Sequence, residues 1–71
     1  MKPAMIPISL NGEPRTVAAD TTVAALVLEL ALRPEIVAVE VNANLVRRAD
    51  REQLVLVPGD WVEVVTLVGG G

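Results

Sequence analysis

Alternating apolar and polar positions open the chain. In "MIPISL", Ile6, Ile8 and Leu10 fall on one side of a period-two pattern and Met5, Pro7 and Ser9 on the other, which predicts a strand with one buried face. Asn11-Gly12 follows, a strong hairpin signal because both central positions of the favoured turn take positive φ. "EPRTVAA" then returns as the partner strand over roughly residues 15–18. Pro7 donates no ladder hydrogen bond, so the pattern predicts a local bulge there or a ladder that becomes regular only after it.

The period then changes. Val23, Leu26, Val27 and Leu30 recur at helical spacing and form one apolar stripe, with Asp20, Thr21 or Thr22 as the N-cap. Pro34 places the helix end near Leu32 or Arg33. Leu28 and Leu32 lie off the stripe, which fits a chain rich in aliphatic residues. "VAVEV" predicts a third strand with Val37, Val39 and Val41 inward and Ala38 and Glu40 outward. Leu45-Val46 makes a short strand, and the mixed charges of residues 47–52 read as a solvated turn. Leu54, Leu56 or their neighbours re-enter the core before the turn at Pro58-Gly59-Asp60.

In the final strand, "WVEVVTLV", an outward Glu63 sets the register. Val62, Val64 and Thr66 then face inward, while Trp61, Val65 and Leu67 face outward with Glu63. Trp61, Val65 and Leu67, with the adjoining Val68, are candidates for a partner-docking patch; a covering loop, or a register shifted by one, is the alternative. Gly69, Gly70 and Gly71 lack Cβ atoms and continue no strand. The division is therefore a folded domain over 1–68 and a flexible tail over 69–71. The element order of strand, strand, helix, strand, short strand, strand predicts an α+β unit, with a mixed sheet of four to five strands under one helix.

Composition narrows the chemistry. The 71 residues make one small domain, 52% hydrophobic, with one Trp and no Phe, Tyr, Cys or His. Without cysteine there is no thiolate, disulfide or Cys-based metal site, and without histidine the commonest general base and metal ligand are missing. No metal site is expected, and Asp50 and Glu52 lack the nucleophile or histidine that would make them an acid/base pair. Nine acids against six bases give a net charge of −3, the wrong sign for a nucleic-acid binder. The apolar run "VAALVLELAL" is too short to span a membrane, which needs about 20 residues, and no secretory signal is visible; a soluble, cytoplasmic protein is expected.

Four segments carry a family resemblance: "LNGEPR" at the hairpin, "DTTVAALV" opening the helix, "VAVEVNANLVRR", and "PGDWVEVVTLVGGG". In order and spacing they resemble the ThiS sulfur carriers of thiamin biosynthesis, within the ubiquitin-like β-grasp group, over essentially the whole chain. The resemblance implies that the carboxylate of Gly71 is adenylated by an E1-like enzyme (ThiF) using ATP and magnesium. It is then converted to a thiocarboxylate with sulfur from a donor enzyme, and the sulfur passes to thiazole synthase (ThiG). Gly69, Gly70 and Gly71 would be the tail threaded into these partners, and the chain itself would bind no cofactor and catalyse nothing. The small subunit of molybdopterin synthase, another ubiquitin-like carrier or modifier, and a plain interaction domain with a loose tail are the alternatives.

Overall fold

The computed structural model describes residues 4–67. Five strands, β1 (Met5–Leu10), β2 (Glu13–Ala18), β3 (Val37–Val41), β4 (Asn44–Val46) and β5 (Trp61–Thr66), form one sheet in the order β2-β1-β5-β3-β4. One helix, α1 (Val23–Glu29), follows the first hairpin, and single 3-10 turns cover Pro34–Ile36 and Arg48–Asp50. All neighbours in the sheet are antiparallel except the central pair, β1 with β5. This is the mixed sheet under one helix expected from the pattern, and the ubiquitin-like β-grasp that the resemblance implies.

The core contains the residues that the two periods select. Ile8 and Val17 from the hairpin, Val23, Leu26 and Val27 from α1, Val37, Val39 and Val41 from β3, and Val62 and Val64 from β5 are all buried. Val46 and Leu56 complete the cluster, and Leu30 and Leu32 pack against it half-buried. Leu54 stays at the surface, so Leu56 alone re-enters the core from that segment.

The first turn has the expected geometry, with Asn11 at φ 50° and Gly12 at φ 84°. Asn11 does more than turn the chain. Its Nδ2 donates to the Val64 carbonyl at 3.1 Å, and its Oδ1 accepts from the Val64 N–H at 2.8 Å. The side-chain amide thus prolongs the β1–β5 pairing by one rung beyond the Asn11 N–H bond to the Val62 carbonyl.

Pro7 needs no bulge, and only the ladder to β5 begins after it. It lies within β1 in regular register opposite Thr16. Its carbonyl accepts from Gly59, and the N–H groups of Ser9 and Asn11 point the same way, to Asp60 and Val62. The missing N–H of Pro7 therefore faces the β5 side at a level before that ladder begins, at Ser9 opposite Trp61.

The helix departs from its expected length. Thr22 is the N-cap, its hydroxyl accepting from the Ala25 N–H at 3.1 Å. The Val23 and Ala24 N–H groups donate to the carbonyls of Leu54 and Arg51, and the Leu26 N–H to that of Thr22, so the first turn leaves no backbone donor orphaned. At the other end α1 stops at Glu29, a turn before Pro34, because Ala31 takes φ 60°, the left-handed conformation that ends many helices. Pro34 instead begins the 3-10 turn that leads into β3.

Two further expectations need correction. Thr66 is exposed rather than inward, since it is the last residue of β5 and lies at the sheet margin. Residues 47–52 are not uniformly solvated, because Arg51 is only 6% exposed.

Candidate functional site

β5 is the central strand that runs towards the glycines, and its two neighbours fix its register. Val39 faces Val64, Glu40 faces Glu63 and Val41 faces Val62 across the β3–β5 ladder. Val62 and Val64 therefore point at α1, and Trp61, Glu63 and Val65 point to the uncovered face. The register read from Glu63 is correct, and no loop covers the outward residues: Trp61, Val65 and Leu67 are 48%, 54% and 63% exposed. Ala38 opposite Val65, Glu40 opposite Glu63, and Leu45 opposite Glu40 extend the same face over β3 and β4.

Trp61 and Val65 stand at opposite ends of this face, about 13 Å apart at the usual strand rise. Trp61 is tied down. Its N–H donates to Asn42 Oδ1 at 2.9 Å, its carbonyl accepts from the Asn42 N–H, and its indole Nε1 donates to Glu63 Oε2 at 3.0 Å. Asn42 also donates from Nδ2 to Asp60 Oδ1, while Asp60 Oδ2 accepts from the Val57 N–H and closes the turn before β5. The start of the strand is therefore held by a buried carboxylate and an amide.

The far end is held differently. The Leu67 N–H donates to the Ile36 carbonyl at 2.6 Å, which keeps the chain against the turn leading into β3 for one residue beyond β5. That turn is itself clamped by Arg51, which donates from Nη1 to the Pro34 carbonyl at 3.0 Å and from Nη2 to the Val37 carbonyl at 2.8 Å. Burial, with Arg48 nearby as the lesser cause, holds the Arg51 guanidinium below its usual range. Arg51 was not predicted as a structural residue. Its acceptors are backbone carbonyls, which leave no mark in a sequence pattern.

Val68, Gly69, Gly70 and Gly71 lie outside the described residues. On the helix side of the sheet an open cleft of about 550 Å³ is lined by Ala24, Val27, Leu28, Pro34, Arg48 and Arg51, among others. Arg51 there is already engaged with backbone. Among the described residues no cluster of His, Cys, Asp and Glu is arranged to hold a metal ion, and no helix is long and apolar enough to cross a membrane.

The family model described as the ThiS family matches residues 8–71, nearly the whole chain and the glycines with it. The chain belongs to the ThiS family. It is similar to the solved thiamine biosynthesis protein (ThiS) from Geobacter metallireducens, at a TM-score of 0.80 and 32% identity, covering 93% of this chain and 100% of that one. It is also 45% identical over 64 residues to a thiazole synthase from Magnetococcus marinus, and 40% identical over 62 residues to one from Paramagnetospirillum magneticum. Those stretches take up 90% and 87% of this chain but only 20% and 19% of the synthases, so the ThiS-family chain spans about a fifth of the length of these curated relatives.

Proposed function

We propose that this chain is a sulfur carrier for thiazole formation and that the reacting group is the carboxylate of Gly71. The observation that carries the reading is the family match, which runs through the glycines at 69–71. The two relatives named thiazole synthase, each with a segment similar to this chain, support a synthase of that kind as the receiving partner.

A carboxylate is a poor acyl donor until one oxygen becomes a good leaving group. In the proposed sequence a ThiF-like activating enzyme, which supplies ATP and magnesium, joins the Gly71 carboxylate to AMP with loss of pyrophosphate. Sulfide-level sulfur supplied by a donor enzyme attacks the acyl carbon, displaces AMP and leaves a thiocarboxylate, whose sulfur passes to a ThiG-like synthase. The chain is a substrate and donor in these steps, not a catalyst, in keeping with a sequence that lacks histidine and cysteine. It binds no cofactor of its own and works in the cytoplasm.

Glycines suit a tail that must reach another protein's nucleotide, being narrow and free in φ/ψ. Ordering them costs about 1–2 kcal/mol per residue, which docking of the folded body has to offset. The exposed face bearing Trp61, Val65 and Leu67 is the surface assigned to that docking, and the candidate Val68 lies outside the described residues.

Intact-mass measurement tests the reading. Incubation with the host's activating enzyme, ATP and a sulfur source should raise the mass by the difference between SH and OH, and deletion of Gly71 should abolish the rise. An unchanged mass with an active enzyme overturns the reading. Capture of a molybdopterin synthase large subunit instead of a thiazole synthase overturns the choice of pathway.

A further inference from the structure

The outer face of the sheet is not simply apolar. Glu40 and Glu63 are directly opposed on β3 and β5, at the middle of the face and on two interior strands. Like charges in that position destabilise a sheet. No cation relieves them among the described residues: the ion pairs there join Arg15 with Glu29, and Glu35 with Arg33 and Arg48. Arg47, just beyond β4, pairs with neither. Glu63 is further oriented by the Trp61 indole at 3.0 Å, which fixes one carboxylate oxygen on the face.

The surroundings are apolar. Trp61 and Val65 flank Glu63 along β5, Leu45 lies opposite Glu40 on β4, and Ala38 lies opposite Val65. A partner covering this face would strip water from both carboxylates, and an uncompensated pair would then oppose docking. Opposed on neighbouring strands, the two carboxylates would be relieved by a cation placed between them.

We propose that the partner seated on this face is the thiazole synthase and that it places a cationic side chain, arginine or lysine, between Glu40 and Glu63. The inference rests on the sulfur-carrier reading and adds the chemistry of recognition. The choice of synthase follows from the relatives in which a segment like this chain forms a fifth of a thiazole synthase, so that carrier and synthase must meet. Arginine suits the site better, because its planar fork can engage two carboxylates while its face lies against Trp61. The net charge of −3 would draw such a partner in from a distance.

Binding of the full chain to the host's thiazole synthase, at low and high salt, tests this alongside thermal melting of the free chain. The Glu40→Gln/Glu63→Gln double variant should melt at or above the wild-type temperature yet bind about tenfold more weakly, with a flatter salt dependence. Val65→Ser should weaken binding while leaving the salt dependence as it is. A double variant that binds as tightly as wild type overturns the inference and leaves the carrier reading intact. One that loses affinity and melting temperature together also overturns it, since that is the mark of a purely structural role. If the variant loses affinity for the activating enzyme but not for the synthase, the occupant has been wrongly assigned. A wild-type chain that does not bind the synthase overturns both this inference and the function beneath it.

Discussion

Replacing Asn11 by glycine isolates the two hydrogen bonds that the side chain makes to the Val64 backbone. Glycine adopts the φ of 50° found at Asn11 at least as readily, so the turn itself is not strained. The lost bonds, at 3.1 and 2.8 Å, are worth about 0.5–1.5 kcal/mol each, or about 1–3 kcal/mol together. The freer unfolded chain adds a few tenths, which places the expected loss near 2 kcal/mol. In a domain of this size 1 kcal/mol shifts the melting temperature by about 4–8 °C, so Asn11→Gly should melt about 8–16 °C below wild type. Hydrogen exchange gives the local reading: the Val64 amide, which loses its acceptor, should exchange faster than the shift in global stability accounts for. A loss below about 0.5 kcal/mol, with Val64 still protected to the global limit, would show that the clamp does not hold β5.

Other substitutions test separate parts of the account. Ala31→Gly should raise stability by about 0.5–1 kcal/mol in thermal melts, because Ala31 sits at φ 60° where glycine carries no Cβ penalty; a loss would contradict the assigned helix end. Arg51→Ala should cost about 1–3 kcal/mol by taking the donors away from the Pro34 and Val37 carbonyls. It should also speed exchange of the Leu67 amide, whose acceptor Ile36 lies in the same turn, and an unchanged Leu67 rate would separate the clamp from the end of β5. Leu26→Ala, at a fully buried position under the sheet, should cost about 2–5 kcal/mol in denaturant melts. With no histidine in the chain, stability should be level across neutral pH, and a steep change there would contradict that expectation.

How far the sequence could be read depended on whether a local rule or a distant contact decided each feature. Asn11-Gly12 announced the first hairpin because that dipeptide is suited to two positive φ values. Glu63 announced the register of β5, and with it the exposed face, because period two leaves a charged residue on an interior strand one outward side. The second tight turn was silent. Asn42 and Ala43 take φ 53° and 70° with no glycine present, and the bonds holding Asn42 run to Asp60 and Trp61, far along the chain. The helix end is hidden in the sequence because alanine stands at the left-handed position and the visible stop signal, Pro34, belongs to the next element. Arg51 looked like one more surface charge, and only the approach of two distant carbonyls makes it an interior residue.

The pairing of β1 with β5 at the centre of the sheet bears on how such a chain is made. Asn11 and Val64 are 53 residues apart in sequence, and the rungs beside them are equally remote. A ribosome has therefore released nearly the whole domain before its central ladder can close. Long-range closure of this kind slows folding and leaves the earlier hairpin without its middle partner in the meantime. A nascent chain cut short before β5 would have no sheet centre and no outer face. Because β5 completes the sheet, a chain that has folded has also been translated through Thr66. Folding itself then separates chains translated through β5 from shorter ones, which would lack the central strand of the sheet.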